Sequence, residues 1–286
     1  MASDNRFAVL IDADNVSVKY IKIILDEISK DGIATYKRIY GDWTNPSLIS
    51  WKSTLLDNSI IPVQQYSYTT GKNSPDSAMI IDAMDILYSG RVEGFCLVSS
   101  DSDFTRLAAR LRESGMTVIG MGESKTPNSF IAACNKFKYL DILSAADEAE
   151  AEEAAPKAEP AKKPAAQPKK TAQKAAAKKP KEEPKAEKEP KPAEPKKQQE
   201  KAIEEPRTSL RTIRRALRTI VRENSDEDNW IMVSQVGNLL DKRYTDFDVR
   251  NFGFSKLTPF LESLDMFEIK DMKKDSSSPQ KYVRLK

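Results

Sequence analysis

Residues 145–206 limit what this chain can fold into more than any other feature. They are almost entirely Ala, Lys, Glu, Pro and Gln, with no aromatic side chain. Such a stretch cannot bury enough apolar surface to offset the entropy of ordering it. Its recurring prolines forbid one long helix. It predicts an extended, disordered linker whose Lys and Glu nearly balance. Any packed core must therefore form from residues 1–144, from residues 207–286, or from both.

Residues 1–144 alternate short apolar runs with segments of helical period. FAVLID, ATYKRIYGDW, IIPVQQYS, GFCLVSSD and MTVIGMG read as strands. Between them lie helices at 16–30, 47–58, 76–88 and 104–113, and the last helical turns run over 128–143. Nearly continuous apolar strands separated by helices predict an α/β fold with a parallel sheet covered on both faces.

Composition excludes several chemistries. The chain has no histidine, which removes Ser-His-Asp and Cys-His catalysis and histidine-ligated zinc or iron. Its two cysteines, Cys96 and Cys134, are not spaced as a zinc or redox pair and sit in apolar runs, so they read as buried reduced thiols. No segment approaches a membrane span and the first residues lack the pattern of a secretion signal, which predicts a cytoplasmic protein without membrane contact. Chemistry here would fall to carboxylates, with a hard cation.

The carboxylates stand where that chemistry needs them. Asp12 ends the first strand, and Asp101 and Asp103 follow the fourth. In a sheet of order 3-2-1-4-5 those strands are neighbours, and functional groups gather beyond the carboxyl ends at the switch in strand order. Three carboxylates there repel unless a cation joins them. Asp76 opens the helix after the third strand, on the same rim, and is the fourth candidate ligand. Asp82 lies about 9 Å further along that helix and, with Asp14 and Asn15, is a candidate for the supporting layer. Asp103 and Asp76 would also serve as helix N-caps. Oxygen-only ligation favours Mg²⁺ or Mn²⁺. Lys72, Arg106, Lys125 and Ser129 surround these loops and suit a polyanionic substrate.

The runs LIDADNV from Leu10, KNSPDSAMIIDA from Lys72, LVSSDSDFTRLAARLRESGMTVIGMG from Leu97 and SFIAACNKFKYLD from Ser129 resemble the NYN family of PIN-like ribonucleases, in particular its LabA-like branch. The resemblance implies a Rossmann-like sheet and an acidic pocket that binds divalent metal and acts on RNA. The family's metal-binding acids correspond to Asp12, Asp76, Asp101 and Asp103. The family often has aspartate where Asn135 stands, and Ala13 and Asp14 depart from its usual glycine and acid.

Residues 207–286 carry 16 basic and 12 acidic residues, against 15 and 17 in residues 1–144. The second part is thus the better electrostatic partner for nucleic acid. Residues 210–222 form an amphipathic helix on which Arg211, Arg214, Arg215 and Arg218 follow helical spacing, suited to phosphate contact. VSQVGNLLDKRY reads as a second helix capped by Ser234, FDVRNFGFSKLTPFLESL as a loop into a third, and MFEIKDM with KYVRLK as a wing. This stretch resembles the OST-HTH or LOTUS domain, which implies a small winged-helix module that binds RNA. Phe252, Phe254 and Phe260 read as core.

Together these features predict a metal-dependent ribonuclease with a tethered RNA-binding module. A catalytically weak RNA-binding adaptor is the alternative. DNA as a substrate and a homodimer through the first domain stay open. LIDADNV also resembles the nucleophile loop of haloacid dehalogenase phosphatases, with Asp12 as nucleophile and Asp14 as acid, but no matching downstream lysine accompanies it.

Overall fold

The computed structural model describes residues 5–65, 75–154, 208–272 and 279–286, without the side chains of 75–77 and 149–154. Lys72 lies outside the described residues.

The first part is built on a six-stranded parallel sheet of order β3-β2-β1-β4-β5-β6. The strands are β1 (Arg6–Asp12), β2 (Ile33–Gly41), β3 (Ile61–Gln64), β4 (Gly94–Val98), β5 (Thr117–Gly122) and β6 (Lys136–Tyr139). Because successive side chains leave a strand on opposite faces, β1 supplies two cores. Phe7, Val9 and Ile11 pack in one layer with α1 (Ile21–Asp31), α2 (Trp51–Asp57) and the start of α6 (Leu140–Ala154). Ala8 and Leu10 pack in the other with α3 (Pro75–Ser89), α4 (Thr105–Glu113) and α5 (Asn128–Ala133). Cys96 and Cys134 are buried free thiols, and desolvation pushes both pKa values up.

The order matches the expected 3-2-1-4-5 and adds one strand. Residues 128–143 were expected to be helical turns, yet Lys136–Tyr139 is a strand. Its KFKY alternates with period two, placing Phe137 and Tyr139 in the core while both lysines stay partly exposed. That local pattern outweighs the helical tendency of its flanks. The helix after it runs to Ala154, into the stretch read as linker.

The second part has α7 (Leu210–Asn224), β7 (Ile231–Met232), α8 (Val233–Arg243), α9 (Leu257–Ser263), β8 (Phe267–Met272) and β9 (Gln280–Leu285). The strands form an antiparallel sheet of order β7-β9-β8, the helix-and-wing arrangement expected. Ser209 caps α7, its hydroxyl accepting from the Thr212 amide at 3.3 Å. Ser234 does not cap α8: that role falls to Met232, whose side chain makes no capping bond, because β7 leads directly into the helix. Phe260 is fully buried, with the rings of Phe252, Phe254 and Phe247 at 5.2, 5.6 and 6.1 Å. Phe260 is core, and the other three are half-buried against it.

Both parts belong to one compact unit, so the linker is not their only connection. The Phe137 amide on β6 donates to the Thr245 carbonyl at 2.7 Å. Glu27, only 3% exposed, receives Arg250 through two bonds of 2.6 and 3.0 Å, Lys138 at 2.9 Å and Lys30 at 2.5 Å. Arg250 also pairs with Asp248, and Lys138 with Asp31. Burial alone would raise the Glu27 pKa, but Arg250, Lys138 and Lys30 overcome it and hold the carboxyl far below its usual range. A depressed carboxylate contributes stability above its unfolded pKa and loses it as pH falls. Denaturant melts taken downward from pH 6 should therefore lose on the order of 2 kcal/mol below about pH 4.5, and the Glu27→Gln protein should lack this component.

Among the described residues no helix is long and apolar enough to cross a membrane.

Candidate metal and nucleic-acid site

β1 and β4 lie side by side with Ile11 opposite Val98. Asp12 and Ser99 therefore emerge together at the carboxyl ends of the two central strands. Asp12 is 2% exposed. Three neutral donors hold it: the Asp14 amide on Oδ1 at 3.1 Å, and on Oδ2 the Asn15 side chain at 2.7 Å and the Ser99 hydroxyl at 2.8 Å. Ser99 Oγ in turn accepts from the Asp101 amide at 3.0 Å. Asp101 Oδ1 accepts from the Asp103 amide at 2.9 Å. One hydrogen-bonded path thus links Asp12, Ser99, Asp101 and Asp103.

The cap expected at Asp103 is made by Asp101, which caps the short 3-10 turn at Ser102–Phe104; Asp103 lies within that turn and is exposed. A cap needs the residue before the first helical one, and the turn starts at Ser102, two residues earlier than the helical pattern suggests. Asp76 lies in the first turn of α3, behind Pro75; its side chain is outside the described set. Asp82 is committed elsewhere. Arg38 and the Tyr40 hydroxyl on β2 both bond it, and burial together with the Asp82 charge pushes the Tyr40 phenol up. Asp82 therefore locks α3 to β2.

Other acids complete the rim. Asp42 follows β2, Glu123 follows β5, and Asp141 follows β6. Asp14 reaches the surface, yet partial burial and then the charges of Asp12 and Asp42 raise its pKa. Asp141 accepts from the Ser124 amide at 3.2 Å. The Glu123 amide donates to Ser100 Oγ at 3.0 Å. Sequence reading passed over these three acids: Glu123 directly follows an apolar strand, a signal present in the chain, whereas Asp42 lies inside the run read as the second strand and Asp141 follows a strand hidden in the helical reading of 128–143. Gly122 permits the tight approach here: a Cβ would lie 2.6 Å from both the Ser99 carbonyl and Thr126 Oγ1.

Asn135 is not on this rim. Its amide and side-chain oxygen bond the backbone of Val118 at 2.8 Å, near the starting ends of β5 and β6. An aspartate there would not join the acidic cluster, so this departure from the resembled pattern bears on strand pairing.

Among the described residues no group of three or more acids or cysteines stands close enough to hold a metal ion. The structure joins Asp12 to Asp101 through Ser99 and leaves Asp103 exposed. Among the described residues no lysine or arginine pairs with Asp12. Of the expected phosphate-binding side chains, Lys125 pairs with Glu123 at 2.8 Å, Arg106 and Ser129 are exposed near the rim, and Arg211, Arg214, Arg215 and Arg218 are exposed on α7 opposite its buried Ile213, Leu217 and Ile220.

No curated protein matches this chain. A crystal structure of a protein of unknown function from Vibrio parahaemolyticus is similar at 19% identity with a TM-score of 0.40, covering 49% of this chain and 96% of that one. The NYN domain family matches residues 6–141 and the OST-HTH/LOTUS domain family residues 207–278. NYN domains have a PIN-like nuclease fold, and such nucleases generally use divalent metal ions; OST-HTH domains suggest RNA binding. The chain is an NYN-domain protein that also carries an OST-HTH/LOTUS domain.

Proposed function

We propose that the protein is a metal-dependent ribonuclease that hydrolyses RNA phosphodiesters at the rim formed by Asp12, Asp101, Asp103 and Asp76, with the winged-helix domain contributing RNA contacts. The observation that carries this reading is Asp12: a buried carboxylate held only by neutral donors, without a basic partner among the described residues, joined through Ser99 to Asp101. The donor set suits Mg²⁺ or Mn²⁺, being all oxygen, and Asp12 Oδ1 accepts the Asp14 amide where a carboxylate oxygen can accept two hydrogen bonds. Among the described residues these acids do not yet form a cage; Asp12 and Asp101, joined through Ser99, would bind the ion first, and Asp103 and Asp76 would close on it. When bound, such an ion supplies a water nucleophile at neutral pH and offsets charge on the scissile phosphate.

The chain's own residues do the rest. Ser99 and Asn15 orient Asp12. The Asp101 cap fixes the turn that carries Asp103. Arg106 and Ser129 stand at the surface for phosphate oxygens. The family matches support RNA; they do not extend to DNA or to a homodimer.

The test incubates purified protein with structured and unstructured RNAs, with and without Mn²⁺, beside the Asp101→Asn protein, and measures RNA binding in parallel. Metal-dependent cleavage by the parent, lost in the variant with binding retained, is the expected result. Unchanged cleavage by the variant would rule out this site. A parent that binds RNA but is inert in every metal would establish the adaptor reading.

A further inference from the structure

The contact between the two folded parts is more specific than a long tether requires. Residues 155–207 span 53 positions, and such a length at full extension reaches roughly 180 Å. The covalent connection therefore leaves the winged-helix module free to sit almost anywhere. Its seat must be chosen by contacts.

Those contacts are of three kinds. The first is main-chain pairing. β6 is the last strand of the sheet, and an edge strand presents unpaired amides. The Phe137 amide is met by the Thr245 carbonyl at 2.7 Å. The second is a buried ionic cluster. Arg250 of the module crosses to Glu27 on α1, forked across both its oxygens; Lys138 on β6 supports Glu27 and Asp31 from one side, and Asp248 holds Arg250 from the other. A planar guanidinium on a carboxylate fixes orientation as well as distance. The third is a polar anchor. Asp246, 6% exposed, accepts from the Tyr139 hydroxyl at 3.3 Å and from Thr208, at the start of the module, through its amide at 3.2 Å and its hydroxyl.

We infer that the α1–β6 face of the NYN domain is a docking site for the winged-helix module of the same chain, and that the two domains work as one body whose association does not depend on the linker. The main-chain bond closes the β6 edge, the Glu27–Arg250 fork sets the angle, and the Tyr139–Asp246–Thr208 anchor sets the position. Tyr139 pairs with Gly122 in register, at the carboxyl ends of the strands. A salt-sensitive dock follows, because the Arg250 side chain that crosses to Glu27 is 24% exposed.

The test separates seat from tether in the full chain. A site-specific protease sequence is placed between Pro180 and Lys181, the purified protein is cut, and the products are run on a sizing column at low and at molar salt. Co-elution of the two fragments at low salt is expected, weakening at molar salt. Elution as two separate species at low salt would overturn the inference. Arg250→Glu should weaken association about a hundredfold, because it removes the forked pair and sets a second carboxylate against Glu27, and Glu27→Arg combined with Arg250→Glu should restore it in part. Cut Arg250→Glu protein that still co-elutes as tightly as the parent would overturn the ionic fork, whatever the state of the double variant. An intact chain running at twice its mass, and at single mass as Arg250→Glu, would show the seat filled by a second copy and overturn the same-chain assignment. None of these readings uses nuclease activity, so an inert rim would leave the dock intact, and a failed dock would leave the rim untouched.

Discussion

Asp12→Asn is expected to cut RNA at least about a hundredfold more slowly than the parent, since even supporting residues around a metal typically cost about 10–100-fold. The substitution is nearly isosteric, so the backbone should stay in place. It removes the charge, however, and it gives the amide nitrogen a position where only an acceptor works. If that nitrogen takes the place of Oδ2, the Ser99 hydroxyl and Asn15 amide both lose their acceptor; if it takes the place of Oδ1, the Asp14 amide does. An unmet buried donor costs about 1–3 kcal/mol, so a lower melting temperature should accompany lost cleavage. Ser99→Ala supplies the graded control. It keeps the charge and removes one donor to Asp12 and one acceptor for the Asp101 amide, which should lower activity by about 10–100-fold, less than the loss of Asp12. Equal activities in the parent and Asp12→Asn proteins, at matched RNA binding, would remove Asp12 from the chemistry. The comparison with Asp246 is instructive. That carboxylate is also buried and also held by neutral donors, yet it anchors one domain to the other. What marks Asp12 as different is the company of Asp14, Asp42 and Asp101 on one rim.

Phe260→Ala should destabilise the winged-helix domain by about 3–5 kcal/mol, the usual cost of removing a large buried aromatic. Phe260 is fully buried, with three aromatic rings within 6.1 Å. Small domains hold only about 5–15 kcal/mol in total, so the loss is a large share of what keeps this one folded. Denaturant unfolding followed by fluorescence of Trp230, which is buried in the same domain beneath Arg284, measures it. A loss below about 1 kcal/mol would mean that these rings pack more loosely than the contacts show. RNA affinity should fall with the folded fraction if the α7 arginines bind RNA, because α7 keeps its exposed arginine face only while Ile213 and Leu217 are packed.

Much of this architecture could be read from local pattern. The alternation of strands and helices, the two folded ends, the wing and the buried phenylalanines all follow from periodicities of two and 3.6 acting over a few residues at a time. Asp12 and Asp101 could be paired before any coordinates, because only a switch in strand order brings the first and fourth strands together. β6 was hidden because an alternation of four residues is too short to stand out between the helical flanks on either side. The fate of Asp82 was hidden because Arg38 and Tyr40 are more than forty positions away in sequence, and a hydrogen bond across that separation leaves no local trace.

The chain's local order therefore determined by itself that there would be two folded parts, what class each belongs to, and which end of the first carries its acids, since burial pattern and strand ends are short-range properties. Only the tertiary structure decided which neutral donors hold Asp12, that Asp101 rather than Asp103 makes the cap, that Asn135 belongs to the opposite rim, and that Glu27 receives Arg250 from 223 positions away. Each of these rests on a single donor meeting a single acceptor in space, and no periodicity encodes that meeting.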